Sequence, residues 1–152
     1  MKTAEFIPLL LVAGSAVAAP SSKVSEAVTI SGLSADQTNT TGWIEFILDD
    51  PNYQDVTGAN IQWSIPGQPL ADSRTEDGNY YVEFPGGVND IGVFDLVITR
   101  VKGPEQISYT LNDNKNGGAP GSKWECITSV GSVTTEKCYY HGNITVVPST
   151  SF

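Results

Sequence analysis

Residues 93–101 read VFDLVITRV, and the order of apolar and polar side chains in this stretch decides the kind of fold to expect. Phe94, Leu96 and Ile98 occupy alternate positions and point one way, while Asp95 and Thr99 point the other. A β-strand sends successive side chains to opposite faces, so this pattern buries one face and leaves the other in water. A helix would need the i, i+3, i+4, i+7 apolar stripe to be sustained over several turns, and this run is too short and too rich in β-branched residues for that. Residues 79–84, NYYVEF, repeat the pattern: Tyr80, Val82 and Phe84 alternate with Tyr81 and Glu83.

Outward from this stretch the chain consists of more runs of the same kind. VSEAVTI (24–30), GWIEFIL (42–48), NIQWSI (60–65), QISYTL (106–111), KWECITSV (123–130), TTEKCYY (134–140) and NITVV (143–147) are short, rich in β-branched and aromatic residues, and divided by Gly, Pro, Asn and Asp. About eight or nine short strands at this spacing predict an all-β single domain, an antiparallel β-sandwich or β-barrel built from hairpins. One helical turn at most is expected, in SGLSADQTNTT (31–41), where Ser34 precedes Ala35-Asp36-Gln37 in the outline of a capping box.

The first residues, MKTAEFIPLLLVAGSAVAAP, carry one Lys, an apolar run from Phe6 to Ala13, and Ala16 and Ala18 in A-x-A spacing. This predicts a secretory signal peptide over 1–18 and a secreted, extracellular β domain over 19–152. The apolar run is too short to span a bilayer, so membrane insertion is not expected. Removing Lys2 and Glu5 with the signal leaves 7 of the 8 basic and 16 of the 17 acidic residues, and the net charge stays at −9. Such a charge repels nucleic acid and anionic lipid, and no Lys/Arg cluster offsets it locally.

Cys126 and Cys138 are the only cysteines and stand twelve positions apart around Gly131-Ser132. In an exported chain two such cysteines pair, and closing so short a loop stabilises by about 3 kcal/mol in the chain-entropy model. A redox CxxC motif is absent, and two thiols with one histidine make a poor zinc set. Register adds a constraint. A two-residue turn at Gly131-Ser132 would pair positions summing to 263, whereas the cysteines sum to 264. The bridge therefore requires an odd-length loop such as Gly131-Ser132-Val133, or a one-residue bulge.

Candidates for chemistry are few. LNDNKNGGAPGSKWE (111–125) begins like a calcium loop, with Asn112, Asn114 and Asn116 followed by Gly117. The twelfth position is Lys123 rather than a chelating Glu, so the segment reads as a long exposed loop and no metal or other cofactor is expected. The single histidine, His141, precedes Gly142 and reads as an exposed turn residue, and no Ser sits in a G-x-S-x-G elbow. Asp49, Asp50 and Asp55 in LDDPNYQD are the best carboxylate cluster, suited to glycosidase-type acid/base work or calcium, or else to an Asp-Pro turn with solvated charges. Trp43, Trp63, Trp124, Tyr80, Tyr81, Tyr139 and Tyr140 would form a glycan platform only if a co-planar exposed set existed, and most are expected in the core. Asn39-Thr40-Thr41 and Asn143-Ile144-Thr145 are N-glycosylation sequons.

The leader ending in AVAAP, the acidic strand-rich chain and the late KWEC…EKCYYHGNITVVP region together resemble the secreted hypersensitive-response-inducing protein elicitors of the rice blast type, over the full length. That resemblance implies a non-enzymatic fungal protein perceived by a plant cell-surface or apoplastic partner, triggering defence and local cell death, with no catalytic residues to carry over. A looser similarity is to the Alternaria major-allergen-like β-barrel family, which usually carries more cysteines than the two here. Two other functions fit the same residues: a small cell-wall glycan-binding or glycan-hydrolysing protein using Asp49, Asp50, Asp55 or the aromatics, and an inhibitor of apoplastic proteases presenting a loop such as 112–122. The oligomeric state is not legible in the sequence.

Overall fold

The computed structural model describes residues 25–113, 123–128, 131 and 133–150. The expected signal segment 1–18 lies outside them, as does 114–122 of the long loop. Ten strands follow in order: β1 (Val28–Thr38), β2 (Thr41–Asp50), β3 (Asp55–Ser64), β4 (Tyr80–Glu83), β5 (Val93–Arg100), β6 (Glu105–Asn112), β7 (Trp124–Thr128), β8 (Thr134–Tyr140), β9 (Ile144–Val146) and the two-residue β10 (Ser149–Thr150). All the strand pairings are antiparallel. One sheet runs β3-β2-β1-β8-β7, with β9 also on β1, and the other runs β10-β6-β5-β4. The fold is a β-sandwich, which resolves the choice between sandwich and barrel.

The alternation read from the sequence places the core. Ile44, Phe46 and Leu48 of β2, Ala59, Ile61 and Trp63 of β3, and Trp124 and Cys126 of β7 face Val82, Phe94, Leu96, Ile98, Ile107 and Leu111 of the second sheet, all buried. Trp63 packs over Gly42, its partner on β2, where an added Cβ would lie 2.3 Å from the indole ring. A glycine there makes room for the largest side chain at that end of the core.

Two sequence expectations change. Ser34–Gln37 form no helical turn but belong to β1, with Ala35 fully buried between Ile44 of β2 and Cys138 of β8. Pairing on both sides satisfies the backbone groups of these residues, which one isolated helical turn cannot do. A bulge between Ser31 and Ser34, with Gly32 at φ +62°, restores inward alternation so that Ile30 and Leu33 both face the core. The second change concerns length: β1 continues to Thr38 and β3 begins at Asp55, both well beyond the runs marked by their apolar residues.

Candidate functional site

The most elaborate polar cluster lies where β2, β3, β4 and β5 end together. Tyr80 on β4 donates its hydroxyl to Oδ2 of Asp50 on β2 at 2.8 Å and receives an N–H from Arg100 on β5. Arg100 also pairs with Oδ2 of Asp55 on β3 at 3.2 Å, and Asn79 donates its amide to the same oxygen at 3.0 Å. Asn79 further donates at 2.7 Å to Asp77, whose other carboxylate oxygen accepts the Thr75 hydroxyl at 2.6 Å. The guanidinium of Arg100 lies over the ring of Tyr53, 3.7 Å from its centroid.

Electrostatics here follow from burial. Desolvation first, then the hydrogen bond and charge of Asp50, push the Tyr80 hydroxyl well above its ordinary range, so it remains a neutral donor. Burial also pulls the Arg100 guanidinium down, but its bonds to Asp55 and Tyr80 outweigh that and raise it. Asp77 shows the opposite balance. Burial pushes its carboxyl up, yet donors from Thr75, the Asn79 backbone, Thr57 and the Asn79 amide hold it at about 2.

Chemically, this arrangement is a tie between two sheets. Asp50 is buried, its Oδ1 takes both the backbone N–H and the side-chain amide of Asn52, and its Oδ2 takes Tyr80. Asp55 is engaged by Arg100 and Asn79. Asp49, beside Asp50 in the sequence, points the other way and is exposed. The Asp49–Asp50–Asp55 cluster is therefore divided between the two faces of the sheet, with Asp49 on the outer one. Two open grooves of the protein are lined by other residues, one along β2 and β3 and one between 68–71 and 83–89.

The remaining candidates scatter. Cys126 and Cys138 form a disulfide and are direct cross-strand partners, Cα to Cα 4.0 Å. Every β7–β8 pair sums to 264, as the cysteines do, and not to the 263 of a two-residue turn at Gly131-Ser132; Ser129, Val130 and Ser132 of the connection lie outside the described residues. Asn39 is exposed at the tip of the β1–β2 hairpin and Asn143 is exposed just before β9. His141 is exposed, 2.7 Å from Glu125 and edge-on to Tyr139. Trp63, Trp124 and Tyr80 are core, and Trp124 donates its indole N–H to the Ile91 carbonyl at 3.0 Å. Trp43, Tyr81, Tyr139 and Tyr140 are half-buried, with Trp43 and Tyr139 on the outer face of the same sheet. Of the calcium-like loop and the proposed protease-contact loop, the segment 114–122 lies outside the described residues.

Tyr80 and Arg100 did not emerge from the sequence as parts of an acidic cluster, yet the signal was present. Arg100 continues the inward series Phe94, Leu96, Ile98, and Asp50 continues Ile44, Phe46, Leu48. A charged residue at an inward position needs an inward partner of opposite sign. No protein family, no curated protein and no solved structure matches this chain.

Proposed function

We propose that this protein is a secreted recognition module, an elicitor that plant cells perceive through its folded surface and that acts without catalysis. The observation that carries this reading is the fate of the best carboxylate cluster. Asp50 and Asp55 tie one sheet to the other through Tyr80 and Arg100 instead of facing a cleft together. What remains for function is surface on a disulfide-stapled sandwich, the form suited to recognition by a partner. Export and the fungal elicitor identity rest on the leader and on the resemblance described above.

The test is infiltration of purified protein into leaves. Native protein provokes defence responses and local cell death, and heat-unfolded, reduced protein provokes less; an inert native protein overturns the reading. A glycan-binding role has a narrower support, the outward Trp43 and the outward Tyr139 two strands away on one sheet face. Saturable binding to cell-wall polymers, lost on Trp43→Ala, would favour it.

A further inference from the structure

The outer face of β2 and β3 carries an open groove of about 530 Å³ that shares only Thr57 with the polar cluster and takes nothing from the disulfide. Its floor is Gly58, opposite Ile47. The hairpin after β3 lays Glu76 across that glycine, with the carboxyl carbon 2.9 Å from where a Cβ would stand and the Glu76 N–H bonded to the Gly58 carbonyl at 2.8 Å. Glu45 lines the same groove two pairs further along, opposite Asn60, about 7 Å up the strand. Both glutamates are exposed, and among the described residues neither has a cationic partner. Beside them Ile47 and Val56 are 49% and 67% exposed, two large apolar side chains on one outward face.

The edge of the sheet adds a second element. β3 is the outermost strand. Gly58 turns its carbonyl away from β2, where the Glu76 N–H caps it, so by the alternation of an antiparallel ladder Asn60 and Gln62 turn their backbone groups to that edge beyond the cap. Open main-chain groups match another main chain, and two carboxylates beside apolar side chains, without a cationic partner and one of them accepting the Ser34 hydroxyl at 3.2 Å, match a cationic, partly apolar one.

Resting on the recognition role proposed above, the geometry points to a docking site for an extended basic polypeptide segment along the edge of β3. Its Lys or Arg side chains reach across into the groove to Glu76 and Glu45, and apolar side chains of the same alternate set cover Ile47 and Val56. Strand addition of this kind takes affinity from main-chain bonds and specificity from alternate side chains. The net charge of −9 steers such a segment toward the protein.

The experiment is independent of any leaf response. A labelled peptide of alternating lysine and valine is titrated with the full secreted chain and followed by fluorescence anisotropy, in parallel with an alternating glutamate–valine peptide, polylysine of equal charge and a chitin oligosaccharide. The lysine–valine peptide binds saturably and one to one, and Glu45→Gln with Glu76→Gln weakens it roughly tenfold, as expected for two charge pairs on an exposed face. Ile47→Ser weakens it several-fold, whereas Glu83→Gln, an exposed carboxylate on the other sheet, leaves it unchanged. Melting curves confirm that the variants stay folded, as exposed positions permit. Equal binding of polylysine, an unchanged affinity in the double variant, absence of saturable binding, or displacement of the peptide by the chitin oligosaccharide overturns the proposal. An elicitor that fails this titration remains an elicitor; a chain that passes it and leaves leaves unaffected fails only the plant-specific reading.

Discussion

The Tyr80 hydroxyl donates to the buried carboxylate of Asp50 at 2.8 Å, and this bond joins β4 of one sheet to β2 of the other. Hydrophobic contact between two sheets is non-directional and permits sliding, whereas a charged tie at one end holds them in a single relative position. Arg100 and Asp55 make the second such tie a few ångströms away.

Removing the hydroxyl leaves Asp50 Oδ2 buried without this donor. Tyr80→Phe is expected to destabilise by about 1–3 kcal/mol, the cost of an unsatisfied buried group. At about 3–6 °C per kcal/mol for a domain of this size, the melting temperature falls by several degrees. Asp49→Asn, one residue from Asp50 but exposed, leaves it unchanged. An equal effect of Tyr80→Phe and Asp49→Asn, measured by calorimetry, would refute the structural role of the tie.

At Gly42 the constraint is volume. An alanine Cβ there meets the Trp63 ring at 2.3 Å, and the ring is buried with no room to retreat. Gly42→Ala is expected to cost about 1–3 kcal/mol through overpacking. Adding Trp63→Leu relieves the clash, so urea denaturation should show the double variant to be more stable than the sum of the single effects predicts.

The disulfide restrains the unfolded chain. Cys126→Ser with Cys138→Ser is expected to lose about 3 kcal/mol and to lower the melting temperature by roughly 10 °C or more. If the protein acts as the elicitor proposed above, elicitation is expected to persist at temperatures where circular dichroism shows the variant folded. A folded but silent variant would place the cysteines in the active surface instead.

Stability should fall at both ends of the pH scale, for opposite reasons. Asp77 is held at about 2, below its ordinary 3.8, so its contribution is present above pH 3.8 and is lost as pH falls toward 2. Urea midpoints of the wild type and Asp77→Ala therefore converge over that interval. Burial, then the hydrogen bond and charge of Tyr109, raise Tyr140 from 10.0 to about 12. Its contribution is complete below pH 10 and is lost between 10 and 12, so the gap between the wild type and Tyr140→Phe narrows there. Parallel curves across either interval would contradict the assignment.

Much of this molecule was determined by the sequence alone. Alternation in VFDLVITRV and NYYVEF dictates strands with one buried face, because a strand has no other way to hide Phe94, Leu96 and Ile98 together. The positions of Cys126 and Cys138 exclude a direct pairing across a two-residue turn at Gly131-Ser132, because cross-strand partners in one hairpin share a constant sum. Tertiary structure decided what local pattern leaves open. Ser34–Gln37 resemble a helix start until strands on both sides supply their hydrogen bonds, and β3 starts at Asp55 because β2 is there to pair with it. The partner of Asp50, Tyr80, comes from 30 residues further along the chain, and the partner of Asp55, Arg100, from 45. Periodicity states which way a side chain points, but only the packing of two sheets states what it meets.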